Sequence, residues 1–174
     1  MADVIVIGGG VIGLSLAWEL SGQGVSVTVL EQGQVGREAS WAGAGMLPPG
    51  NRELAADGEP ALRSMSHELW NNWSEQLRSQ TGIDNGFRNC SAIEVSFDDS
   101  LEAEIARWRE SGVQADVLQR CDLQETALAI SDDVTHAYRL PEFSQVRNPR
   151  HLKALVAGCG QRKVRIIEGQ QVVG

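Results

Sequence analysis

The chain opens on an unbroken apolar run, Val4-Ile5-Val6-Ile7, β-branched at every position, which predicts a short buried parallel strand. A helical pattern follows through Leu20 and stops at Gly22-Gln23-Gly24. Val25 to Leu30 predicts a second strand, closed by Glu31. Between Gln32 and Pro49 the periodicity disappears and Gly, Ala and Ser recur, so this stretch reads as a long connection. A second helix is predicted from Asp57-Gly58-Glu59-Pro60 to about Gln80, with Gly82 as its stop. Leu62, Met65, Leu69, Trp73 and Leu77 recur at helical spacing, and with Trp70 they read as a core stripe.

Beyond Gly82 the pattern changes. Ser91 to Phe97 alternates with period two, as a half-buried antiparallel strand does. Asp99-Ser100-Leu101-Glu102 has capping-box spacing and opens a helix whose Leu101, Ile105 and Trp108 share one face, ending at Gly112. A second box, Asp122-Leu123-Gln124-Glu125, opens a shorter helix, and Thr135 to Leu140 reads as another strand. On that strand Tyr138 and Arg139 are neighbours, so they point to opposite faces and cannot meet one substrate group. Asn148 at the N-cap and Pro149 at the first helical position then start a helix whose apolar face is Leu152, Leu155, Val156 and Cys159, ending at Gly160. Val164 to Glu168 predicts a third parallel strand. The fold class is therefore α/β. Residues 1–82 and 144–174 form one discontinuous parallel-sheet domain, and residues 83–143 form an inserted α+β region.

Composition narrows the class without naming it. With 174 residues, 42% apolar and 22% charged, the chain can bury a real core and suggests neither disorder nor a membrane span. A net charge of −8 argues against a nucleic-acid surface, which needs a basic stripe. The apolar N-terminus is flanked by Asp3 and broken by glycines, which does not suit a secretory signal. Cys90, Cys121 and Cys159 form no C-x-x-C, pointing to reduced thiols and a cytoplasmic setting. His67, His136 and His151 are far apart with no partner at ligand spacing, so no metal site is expected.

The candidate chemistry sits in the first turn. Gly8, Gly10 and Gly13 stand in G-x-G-x-x-G spacing between strand and helix, the arrangement of a dinucleotide-binding βαβ unit. Gly8 turns the chain sharply, Gly10 lets a pyrophosphate approach the backbone, and Gly13 lets the helix lie close to the sheet. The amides of Val11 and Ile12 open the helix and suit an anion. Glu31, ending the second strand, is placed to accept the hydroxyls of a ribose. Its charge repels a 2′-phosphate and no Lys or Arg precedes Arg37, which argues against an NADP site.

Three segments carry a resemblance: VIVIGGGVIGLSLAWEL, VTVLEQG and ASWAGAGML. Together they resemble the N-terminal signature of the D-amino-acid oxidase superfamily of flavoproteins, most closely the glycine oxidase branch associated with thiamine biosynthesis. The resemblance covers about the amino-terminal half of a typical member. It implies a Rossmann-like FAD-binding domain, with FAD as cofactor and 83–143 as part of a substrate-side domain. It further implies that Gly8, Gly10, Val11, Ile12 and Gly13 take the pyrophosphate, and that Glu31 with Gln32 holds the ribose. Ala39 and Ser40 would lie along the phosphates, Ala44, Gly45 and Met46 along the isoalloxazine, and the backbone of Val172 beside the adenine. Members often have Thr or Ser where Ala39 stands and a small residue in place of Trp41. The implied reaction is oxidation of an amine beside a carboxylate, with hydride transfer to the flavin, hydrolysis of the imine to a keto acid, and peroxide release. The small-molecule partner would be an amino acid. The carboxylate-binding Arg and active-site Tyr of the family lie beyond Gly174, so the resemblance offers no catalytic residue here and implies a fragment that is inactive alone. A second superfamily activity, such as sarcosine oxidase or D-amino-acid dehydrogenase, and a noncatalytic FAD-binding module stay open, as do a homo-oligomer and a missing C-terminal half.

Overall fold

The computed structural model describes residues 1–55, 58–97, 101–125, 129–131, 133–134 and 136–173, without the side chain of Gln124. The described elements run β1 (Val4–Ile7), α1 (Val11–Gly22), β2 (Val27–Leu30), α2 (Ala39–Ala42), β3 (Met46–Leu47), α3 (Gly58–Thr81), β4 (Arg88–Asn89), β5 (Ala92–Ser96), α4 (Leu101–Glu110), β6 (Asp116–Leu118), α5 (Arg120–Glu125), β7 (His136–Leu140), β8 (Ser144–Gln145), α6 (Asn148–Gln161) and β9 (Arg165–Ile167). They divide into two compact units. The first comprises Met1–Gly45, Asn71–Phe87 and Val146–Gly174, the second Met46–Trp70 and Arg88–Gln145.

The first unit is built on a parallel sheet in the order β1-β2-β9, with Val4 opposite Val27 and Thr28 opposite Arg165. Strand alternation sends Val6, Val27 and Val29 into one core with Leu14, Ala17 and Trp18 of α1 and Leu152, Leu155 and Cys159 of α6. The end of α6 is tied to α1 by Arg162, whose guanidinium stacks 3.9 Å from the Trp18 ring and donates to the Trp18 carbonyl. Burial on both faces, expected of β1, is not found. Ile5 is 61% and Ile7 68% exposed, because α1 and α6 cover only the opposite face of the sheet.

The start of α6 rests on a buried polar cluster. The Asn85 carboxamide nitrogen donates to Ser74 Oγ at 3.0 Å and lies 3.2 Å from His151 Nδ1, while the Asn85 backbone carbonyl accepts from the Arg147 amide. The helix N-cap is Arg147, one residue before the Asn148 expected, and Pro149 falls within its first turn.

In the second unit, β5-β7-β6 and β3-β8-β4 are antiparallel sheets. Leu101 and Ile105 of α4 pack on Tyr138 and Leu140 of β7, with Trp108 at the margin, as the spacing predicts. Tyr138 is buried and donates to Glu94 Oε2 at 2.6 Å, while Arg139 on the opposite face pairs with Asp116 at 3.2 Å. Asp99 and Ser100 of the first capping box lie outside the described residues, as do Asp57 and Thr135. The second box is shifted: α5 begins at Arg120, and Asp122 is the third helical residue, its carboxylate accepting the Gln119 amide at 2.7 Å.

The apolar stripe of α3 is corrected in its first half. Leu77 is fully buried and Trp73 joins the first unit's core, but Leu62, Met65 and Leu69 are 70%, 46% and 60% exposed. The inward position there is Ser64, packed so closely on Gly50 that a Cβ on the glycine would meet it at 2.6 Å. A small residue that admits close approach displaced the leucines from the contact face.

Candidate functional site

The turn from β1 into α1 is fixed by contacts that only glycine permits. Gly8 has φ +101°, a backbone region that L side chains rarely adopt. At Gly13 a Cβ would strike the Gly8 carbonyl, so the helix touches the turn backbone to backbone. The first intrahelical bond runs from the Leu14 amide to the Gly10 carbonyl at 2.9 Å, which leaves the amides of Val11, Ile12 and Gly13 ahead of the ladder. No acidic residue stands in that first turn. The positive end of the helix is therefore left for an anion from outside.

Ser40 reaches this turn from α2, its Oγ accepting the Val11 amide at 3.0 Å. A Cβ on Gly10 would lie 3.0 Å from the same oxygen. The Ser40 hydroxyl thus takes one helix-start amide and keeps its own proton to donate. The segment 39–42 forms one helical turn where the sequence pattern predicts only a connection. Ala39 and Trp41 are exposed, and Trp41 stacks on its own loop, with the Arg37 guanidinium 4.2 Å from its ring.

Glu31 is 7% exposed at the end of β2. Its Oε2 accepts the Gly9 amide and its Oε1 the Gly33 amide, each at 2.7 Å. These bonds, the Gly33 one foremost and the Gly9 one next, hold the carboxyl below its usual pKa against the opposing effect of burial. The group is an anchored anion with lone pairs to spare. Gly9 and Gly33 carry no side-chain signal, so the sequence pattern does not single them out; only their place beside fingerprint and acid hints at them.

The remaining expected residues are placed less tightly. Gln32 is exposed next to Glu31. Gly45 has φ +75° and its carbonyl accepts the Val146 amide at 2.9 Å, with Ala44 exposed before it. Met46 opens β3 in the second unit opposite Gln145 and is 67% exposed. The chain after β9 crosses Glu31, since the Gln170 amide donates to the Glu31 carbonyl at 2.9 Å, and Val172 follows half exposed. The structure thus brings Gly8, Gly10, Val11, Gly13, Glu31 and Ser40 to one place in the first unit. Among the described residues there is no group of three or more potential metal ligands, and no helix is long and apolar enough to cross a membrane.

Comparison with known proteins agrees with this geometry. The chain is 32% identical to a glycine oxidase of Pseudomonas putida over 158 residues, which is 89% of this chain and 42% of the relative. It is 29% identical to the bifunctional protein ThiO/ThiG of Trichormus variabilis, over 99% of this chain and 26% of that protein. The crystal structure of glycine oxidase from Geobacillus kaustophilus superposes with a TM-score of 0.87 at 27% identity, covering 98% of this chain and 47% of the other. The chain therefore spans less than half the length of these relatives. Residues 3–174 match the family described as FAD dependent oxidoreductase, and the chain belongs to that family.

Proposed function

We propose that this chain forms the FAD-binding portion of an amino-acid oxidase of the glycine oxidase type. The observation that carries the reading is the anchored Glu31 carboxylate beside a helix start where Gly8 and Gly13 exclude a side chain. The residues fit the cofactor on chemical grounds. A diphosphate needs donors without steric cover, and the amides at Ile12 and Gly13 with the hydroxyl of Ser40, whose oxygen already takes the Val11 amide, would supply them. A ribose diol needs a fixed acceptor, and Glu31 is one. The small residues Ala44 and Gly45, with Met46, would follow the isoalloxazine, and Val172 the adenine.

FAD, when bound, supplies the two-electron acceptor for oxidation of an amine to an imine, with oxygen regenerating it and giving peroxide. This chain's part is binding and orientation. Glu31 and the glycine turn fix the cofactor's far end. The backbone around Gly45, held by the Val146 amide, fixes where its ring would lie. No acid–base pair of this segment is required by that division of labour. The substrate would be a small amino acid met by the portion of the relatives that lies beyond this segment. Residues 1–82 and 144–174 would serve the cofactor and 83–143 the substrate side. The names of the relatives support a reaction of the glycine oxidase branch linked to thiamine biosynthesis, and three free cysteines suit a cytoplasmic setting.

The open face of the first unit's sheet supports a further polypeptide there, the counterpart of the second half of the relatives. The reading is tested in a polypeptide that carries this segment together with that portion. Glycine-dependent peroxide release with bound flavin supports it. Release only with sarcosine or D-alanine moves the protein to another branch, and a flavoprotein that releases none with any amine overturns the oxidase reading.

A further inference from the structure

We infer that Glu168 is a positioning residue for the adenosine end of the cofactor site, acting through the loop that follows β2. The inference rests on the FAD reading above. Glu168 is the residue just past β9, and its Oε1 accepts the amide of Val35 at 2.7 Å across 133 positions of sequence. Val35 sits on the loop that carries Gly33, whose amide is one of the two that anchor the Glu31 carboxylate. The Val35 side chain also lies against the glycine turn, where a Cβ on Gly9 would come within 2.9 Å of its Cγ2. A shift of Val35 therefore reaches both Gly9 and Gly33, the two amides that set the direction of Glu31.

Two further ties on this loop are backbone bonds. The Gly36 amide donates to the Gly9 carbonyl at 2.9 Å, and the Gly169 amide donates to the Gly33 carbonyl at the longer distance of 3.3 Å. Both are longer than the Val35 bond to Glu168, which, like the Gly33 bond to Glu31, is short and charge-assisted. Glu168 is exposed, and this bond reaches Val35 rather than a group assigned to the cofactor. Its influence on binding runs through Glu31, which holds the ribose only while both carboxylate oxygens keep their amides.

The test uses ADP as the probe, with the wild-type chain, Glu168→Ala and Glu168→Gln. Glu168→Ala is expected to weaken ADP roughly fivefold to tenfold, less than the full worth of one charge-assisted hydrogen bond because the bond is exposed and acts through the loop. Glu168→Gln keeps an acceptor oxygen for the Val35 amide and is expected to restore most of the affinity. Hydrogen exchange of the apoprotein should quicken at residues 33–36 in Glu168→Ala alone, with residues 12–16 unchanged. Unchanged exchange at 33–36 overturns the positioning role. Faster exchange with unaltered ADP affinity overturns its link to the adenosine end, and so does equal weakening by both variants, which would make the effect one of charge. A wild-type chain that ignores ADP sinks the cofactor reading as well, and the exchange result then decides the loop contact by itself.

Discussion

At Glu31 a single carboxylate joins the glycine turn to the loop after β2, and its chemistry makes two expectations concrete. Replacing it by Gln sets an amide NH2 against one of two N–H donors, so Glu31→Gln should destabilise the fold by about 1–3 kcal/mol, read by urea denaturation. The folded carboxyl titrates below its ordinary value, so its contribution is full above that value and is lost as pH falls through the folded one. The two glycines flanking the helix start should behave differently. Gly13→Ala drives a methyl into the Gly8 carbonyl and should cost about 1–3 kcal/mol of stability or more. At Gly10 an added Cβ meets only the Ser40 hydroxyl, so Gly10→Val should lower the thermal midpoint far less than Gly13→Ala while occupying the space proposed for the diphosphate. Equal melting of both variants would contradict this division. Glycine spacing made these residues legible in the sequence, because the need for a missing Cβ leaves a residue-level mark. Gly9, Gly33 and Glu168 were not legible, since backbone amides and a solvent-side carboxylate leave none.

Elements were readable where one face repeats over several turns. The spacings of α4 and α6 predict the buried sides found, because each packs a continuous apolar stripe, whereas α1 is apolar nearly all round and its pattern marks a helix without marking a side. The short strands β3, β4, β6 and β8 show no alternation and are not predicted, whereas β9, equally short, is marked by its apolar run. In α3 the leucine spacing misleads because contact at Ser64 is decided by closeness to Gly50 rather than by hydrophobicity. The element with most to test is the start of α6. His151 is 1% exposed beside Asn85, and burial lowers its pKa to about 4 from the ordinary 6.5. Between those values the unfolded chain binds the proton and the folded one does not. Stability is therefore full above pH 6.5 and declines as pH falls to about 4, by up to about 3 kcal/mol. Denaturation curves of wild type and His151→Gln across that window should diverge near neutral pH and converge at its acid end. Parallel curves would show that His151 does not carry this pH dependence.

On the scale of the whole molecule, the first unit presents apolar side chains that a parallel sheet ordinarily hides. Ile5 and Ile7 of β1 are both more than half exposed. The chain spans less than half the length of its relatives. Ile5→Lys with Ile7→Lys should leave the thermal midpoint nearly unchanged while reducing self-association in sedimentation. A large drop in the midpoint would show that the face already contributes to this unit's core. Family membership was legible because the glycine turn, Glu31 and the small-residue block occur in one order over the first 47 residues. The substrate was not, since residues 83–143 carry no constellation of charged or polar groups at a spacing that marks a substrate.

The glycine turn and Glu31 together are held to bind a flavin dinucleotide, and everything said of function depends on that. It is tested most directly by titrating the chain and its Gly10→Val variant with FAD by calorimetry, with circular dichroism as the check on folding. Saturable uptake of one FAD per chain, abolished in a variant that is equally folded, is the predicted result. Equal uptake by both proteins, or none by a well-folded wild-type chain, would contradict it.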